Sequence, residues 1–143
     1  MKGYLNNPEA TAAAITDGWL HTGDLGYIDE DGFLFIASRT KELIIRGGYN
    51  VYPSEIENVL HAHPAVVETA VVGVPDERLG EEVLAAVIVR PGSALDTAEL
   101  TAYCRAQLAA YKYARLFDFR SELPRNSLGK VLKDELAASW AAR

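Results

Sequence analysis

The spacing of apolar and polar positions divides the chain into short elements, and its most abrupt change, from extended to helical pattern, falls at Pro53. Before it, Leu43-Ile44-Ile45 is an apolar run of strand length, surrounded by Arg39, Lys41 and Arg46 and followed by Gly47-Gly48. After it, Ser54-Glu55-Ile56-Glu57 has the form of a capping box, and Ile56, Val59 and Leu60 recur at helical spacing. The glycine pair supplies the positive-φ freedom of a sharp reversal, or bare backbone for close approach of a ligand. Taken as a hairpin turn, it leaves Arg39, Lys41 and Arg46 as solvated charges.

Upstream, Pro8 opens a run of helix formers that Asp17-Gly18 ends. Trp19-Leu20-His21 reads as a short strand leading into a turn at Thr22-Gly23-Asp24. Tyr27-Ile28 and Phe33-Leu34-Phe35-Ile36 flank Asp29-Glu30-Asp31-Gly32, a strong hairpin signal. Residues 1–38 therefore give a helix and a hairpin with exposed aromatics. An isolated hairpin is marginal in water, so this piece needs something to pack on.

Downstream, His63-Pro64 stops the helix. Val66 to Val74 and Glu82 to Arg90 read as strands whose near-continuous apolar runs suit cover on both faces. Asp96-Thr97-Ala98-Glu99 is a second capping signature, followed by a stripe of Leu100, Tyr103, Cys104 and Leu108. Arg115 to Arg120 alternates like a partly exposed strand, Leu123 to Lys130 is a loop, and Val131, Leu132, Leu136 and Trp140 form the apolar face of a last helix. Residues 39–143 are thus expected to form an α+β domain, a short mixed sheet covered by helices in two or three layers. Chemistry, if present, belongs to the loops at Thr22-Gly23-Asp24, Arg39 with Lys41, Gly47-Gly48 and Gly129-Lys130.

Composition narrows the class without naming an activity. With 143 residues, 49% hydrophobic and 24% charged, the chain has the balance of a soluble globular protein. A net charge of −6 with no Lys/Arg run argues against nucleic acid as a partner. Cys104 is the single cysteine, which allows no internal disulfide or cysteine-based zinc site and fits a reducing compartment. No basic neighbour is evident to activate its thiol, so packing is the expected role. His21, His61 and His63 lack metal-ligand spacing. No apolar run approaches the roughly 20 residues of a membrane span, and the amino end lacks a secretory apolar segment. The pattern reads as cytoplasmic.

Four stretches together carry a resemblance that spacing alone does not establish. His21-Thr22-Gly23-Asp24, Arg39-Thr40-Lys41, Arg46-Gly47-Gly48-Tyr49-Asn50-Val51-Tyr52-Pro53-Ser54-Glu55-Ile56-Glu57 and Pro124-Arg125-Asn126-Ser127-Leu128-Gly129-Lys130 occur in the order of the adenylate-forming acyl-CoA synthetases. That superfamily includes firefly luciferase and the adenylation domains of peptide synthetases. The resemblance covers the whole chain, and its opening segment, Met1 to Thr11, looks like one that normally lies inside a longer enzyme. It implies that residues 1–38 are the tail end of a large AMP-binding domain and that 39–143 are the small carboxy-terminal lid.

The resemblance also implies roles. Asp24 would accept hydrogen bonds from the ATP ribose hydroxyls, and Arg39 would contact ribose or phosphates through its donor fork. Lys41 corresponds to the hinge about which the lid rotates between half-reactions. Gly47, Gly48 and Tyr49 would line the channel for the pantetheine arm of CoA. Lys130 would meet the attacking carboxylate and the α-phosphate as the acyl-adenylate forms. Ile45 stands where luciferases have Lys, so no basic residue is carried over for the second step. The Gly-Gly-Tyr-Asn-Val-Tyr-Pro form resembles CoA ligases more than peptide synthetase domains. A peptide synthetase fragment and a non-catalytic binding module of the same fold are the alternatives.

The chain has no Ser/Thr/Gly-rich phosphate loop ending in Lys, and no counterpart of the adenine and acyl pockets. ATP, CoA and a carboxylic acid are the implied substrates, with Mg²⁺ expected but no ligand for it assignable. The implied partner is the absent amino-terminal domain, without which neither step is expected. Exposed Trp19, Tyr27, Phe33 and Phe35 suggest self-association through residues 19–36.

Overall fold

The computed structural model describes residues 1–142. The chain divides into two compact units, Met1–Lys41 and Glu42–Arg143.

In the first unit, α1 (Pro8–Ala14) starts with Pro8 in its first turn, where a missing N–H costs nothing. The Asn7 side chain caps it, accepting from the Ala10 N–H at 2.9 Å. The helix stops before Asp17-Gly18. The chain straightens into β1 (Ile15–Thr16), which pairs antiparallel with β2 (Trp19–Leu20). Asp17 and Gly18 have φ of 52° and 83°, the positive pair that a two-residue type I′ hairpin turn requires. The Asp-Gly pair expected to end a helix is therefore a hairpin turn. The second hairpin forms as expected, β3 (Asp24–Ile28) against β4 (Leu34–Arg39), with Asp29 Oδ1 accepting from the Phe33 N–H at 2.8 Å across the turn. Pairing persists through Arg39, and the Thr40 N–H donates to the Gly23 carbonyl at 2.8 Å. No residue from 1 to 41 is buried.

The second unit holds a five-stranded mixed sheet. Its elements run β5 (Ile44–Arg46), β6 (Tyr49–Val51), α2 (Pro53–His61), β7 (Val66–Asp76), β8 (Gly80–Val89), α3 (Thr97–Gln107), β9 (Leu116–Phe119) and α4 (Lys133–Ala141). Strands β7 and β8 form a long antiparallel hairpin. On its other edge β8 meets β5 at Gly80 and runs parallel to β9 over Leu84 to Val87. A parallel pair needs a crossover, and α3 supplies it.

Alternation along β8 places the core. Val83, Ala85 and Val87 pack with Ile56 and Leu60 of α2 and Leu100 and Cys104 of α3. Leu84 and Ala86 point the other way, into a cluster with Ala70, Val72, Val74, Leu123 and Leu136 of α4. Helices therefore cover both faces, which is the three-layer form of the expected α+β fold and explains the unbroken apolar strands. Each fully buried Leu or Ile is worth about 1.5–3 kcal/mol. The Asp96 side chain caps α3 through the Glu99 N–H at 2.8 Å. Helix α2 begins differently from the expected capping box. Pro53, with its pre-set φ, starts it two residues early, with Tyr52 rather than Ser54 at the cap. Glu57 reaches instead to the Val71 N–H at 2.8 Å.

Candidate functional site

In the first unit Asp24 and Arg39 are register partners across β3 and β4. Arg39 Nε lies 3.3 Å from Asp24 Oδ1, and both side chains reach solvent. An exposed pair of this kind contributes little to stability, so its groups stay available for a ligand. The Asp24 N–H donates to Thr22 Oγ1 at 3.1 Å, which fixes the turn before the strand. Lys41 is exposed, within the 3₁₀ turn Thr40–Glu42.

In the second unit Gly47 and Gly48 form the turn between β5 and β6, with φ of 57° and 84°. Residues with a Cβ are strained there, which accounts for the glycine pair. The Gly47 N–H donates to the Leu79 carbonyl at 2.8 Å, holding the turn to the start of β8. Arg46, beside this turn, is not a solvated charge: it is 4% exposed. Its Nη2 donates to Glu82 Oε2 at 2.8 Å, its Nε lies 2.6 Å from Glu82 Oε1, and its Nη1 donates to the Tyr111 carbonyl at 2.9 Å. Tyr49, after the turn, stacks on Tyr111 with ring centroids 4.7 Å apart. A buried ion pair and a ring stack thus secure both flanks of the turn.

Lys130 is exposed at the end of a loop bonded to itself. Asn126 Oδ1 accepts from the Leu128 N–H at 3.0 Å and the Lys130 N–H at 2.9 Å, while the Asn126 N–H donates to the Lys130 carbonyl at 2.9 Å. Three residues on, Lys133 is drawn inward. Its Nζ lies 2.8 Å from Glu42 and 2.9 Å from Glu57, tying the start of α4 to α2 and to the residue after Lys41. Burial pushes the Lys133 ammonium pKa down, yet its hydrogen bonds with Glu42 and Glu57 carry it above the ordinary lysine value.

Pattern reasoning singled out Asp24, Arg39, Lys41, Gly47, Gly48, Tyr49 and Lys130, and the structure pairs the first two and joins Gly47, Gly48 and Tyr49 in one hairpin. It gave no sign of Glu82, Tyr111 or Lys133, whose partners lie far off in sequence, and it gave Glu57 a capping role in place of its bond to Val71. Asn126 carried a legible signal, since Asn in a loop bonds its own following backbone. Cys104 is buried, and burial pushes its thiol up to about 11, in keeping with a packing role. His63 is also buried, its ring edge-on to Tyr103 at 4.7 Å. Among the described residues no three His, Cys, Asp or Glu side chains gather as a metal site. No described helix is long and apolar enough to cross a membrane.

Sheet, helices and loops coincide with a known class. Residues 55–130, more than half of the chain, match the AMP-binding enzyme C-terminal domain, and the chain belongs to that family. It is 52% identical over 136 residues to the long-chain-fatty-acid–CoA ligase of Bacillus subtilis (strain 168), covering 95% of this chain and 24% of that protein. ATP-bound MatB from Rhodopseudomonas palustris superposes with a TM-score of 0.90 at 44% identity, over 97% of this chain and 28% of that one. The o-succinylbenzoate CoA synthetase of Bacillus subtilis, solved with its acyl-adenylate intermediate, gives 0.89 at 43%, over 95% and 28%. The chain thus spans about a quarter of the length of these relatives.

Proposed function

We propose that this chain is the lid portion of an ATP-dependent acyl-CoA ligase. The reaction joins a carboxylic acid to ATP, giving acyl-adenylate and pyrophosphate, and then passes the acyl group to the CoA thiol with release of AMP. The observation that carries this reading is an exposed lysine amine, Lys130, with no ion pair among the described residues, at the end of a loop whose backbone is closed on itself. Its support is near-50% identity to CoA ligases over almost all of the chain.

In the first step Lys130 meets the carboxylate and the α-phosphate and neutralises the charge that accumulates between two anions, a stabilisation worth most where water is excluded. Asp24 accepts the ribose hydroxyls, and Arg39 presents its fork to ribose or phosphate. Rotation about Lys41 then replaces Lys130 with the Gly47-Gly48-Tyr49 turn. Without Cβ atoms the two glycines leave room for a thin thiol-bearing arm beside the backbone. Adenine and acyl pockets belong to the remainder of the ligase, which also covers the apolar hairpin of the first unit. We place the reaction in the cytoplasm, a setting that suits one unpaired thiol.

The test is reassembly. Alone, the chain gives no ATP/pyrophosphate exchange with a range of carboxylic acids; joined to the large domain, it forms acyl-CoA. Exchange by the chain alone, or no thioester after reassembly, overturns the reading.

A further inference from the structure

The loop that presents Lys130 is closed locally. The base is narrow. Arg125 and Val131 form a single antiparallel bridge, and the Leu132 N–H donates to the Pro124 carbonyl at 2.8 Å. Within the loop the Gly129 N–H donates to the Asn126 carbonyl at 2.9 Å. These bonds set the shape of the loop, and Leu123 and Val131 seat its base on the second core cluster.

Arg125 supplies the direction. Its Nη1 donates to the Gly129 carbonyl at 2.6 Å, one peptide before Lys130. Its Nη2 donates to the Glu68 carboxylate, which stands on β7, 57 residues away. A single planar group therefore holds the tip of the loop with one nitrogen and the sheet with another. The two charged side chains are 40% and 32% exposed, so the pair is screened by solvent and adds little to global stability. Its consequence is geometric.

We propose that Arg125 is the positioning residue for Lys130: its fork between the Gly129 carbonyl and Glu68 fixes the loop to β7 and so fixes where the lysine ammonium is delivered. The role rests on the ligase reading above. Lysine cannot replace it, because an ammonium is a point charge that lacks the fork, and a displacement of about 1 Å at a reacting centre can cost about a hundredfold in rate. The same fixation is irrelevant once the lid has rotated and the Gly47-Gly48 turn serves the second step. Arg125 touches no substrate and acts through Lys130.

Two measurements test this. In the 143-residue chain, amide exchange at Gly129 and Lys130 is followed for the wild type, Arg125→Lys and Arg125→Ala. Both variants are expected to speed exchange there on the order of tenfold, the scale of one charge-assisted hydrogen bond partly screened by water, while Val71 to Val74 keep their protection. In the reassembled ligase both variants lower kcat for adenylate formation on the order of tenfold with KM for ATP and carboxylate little changed. Thioester formation from added acyl-adenylate keeps its rate. Unchanged exchange at Lys130, wild-type adenylation by Arg125→Lys, or an equal fall in both half-reactions overturns the role. A wild-type reassembly that forms no adenylate overturns the ligase reading and this role with it, whatever the exchange data show.

Discussion

Two hairpins in this chain share a turn chemistry and meet opposite fates. The one around Asp17-Gly18 and the one around Gly47-Gly48 both use paired positive φ values to reverse the chain. The first ends as an isolated two-stranded ribbon, and the second enters a five-stranded sheet. In the first unit Trp19, Ile28, Phe33, Leu34 and Ile36 are each more than 60% exposed. In the second, Ile44 and Val51 of the shorter hairpin are almost fully buried. Local turn signals make hairpins; only a second layer makes a core.

The largest consequence is that stability resides in one unit. A chain covering residues 42–143 should unfold cooperatively on heating, while a peptide of residues 1–41 should show no cooperative transition by circular dichroism. Loss of cooperativity in the 42–143 chain would erase the contrast. Light scattering sharpens it: the full chain should associate at high concentration through its apolar hairpin, and the 42–143 chain should stay monomeric.

Next in size is Arg46→Met. It leaves Glu82 buried without its partner, and stability in denaturant should fall by about 3–5 kcal/mol. Leu136→Ala, which empties the second core cluster, should cost about 2–5 kcal/mol, while Phe33→Ser in the first unit should change stability by no more than about 0.5 kcal/mol. A comparable loss at both sites would contradict the assignment of the core.

Among the ion pairs, the smaller effect is on Lys133. Its folded pKa lies above its unfolded one, so its contribution is fully present below the unfolded value and disappears as pH rises through the folded value. Lys133→Met should therefore lower stability by about 1 kcal/mol at pH 7, and the gap should close in alkaline solution above about pH 10. Cys104, with its thiol raised to about 11, also weakens the fold at alkaline pH, but equally in both proteins, so the difference isolates Lys133.

Elements with local signals were legible. The Asp96 cap, the strand pair β7 and β8 and the Leu136 and Trp140 part of α4 follow from residues close in sequence, whereas Val131 and Leu132, expected on the same helix, precede it. Two local signals misled where a competing residue won. Asp17-Gly18 reads equally as helix stop and type I′ turn, and Pro53 began α2 ahead of Ser54. The burial of Arg46 was invisible because its partners, Glu82 and the Tyr111 carbonyl, lie 36 and 65 residues away. The same holds for Lys133, which gathers Glu42 from a distance of 91 residues. Among the candidate site residues, Lys130 and the glycine pair stood out through motif order; Asn126 beside Lys130 carried a local signal, whereas Glu82, which secures the glycine turn through Arg46, left none.

The central claim is that Lys130 supplies the charge that makes adenylation possible once the rest of the ligase is present. Pre-steady-state formation of acyl-adenylate by the reassembled enzyme tests it directly. Lys130→Ala should slow that step by at least about a hundredfold, the usual cost of losing one aligned electrostatic group. An unchanged adenylation rate would contradict the account.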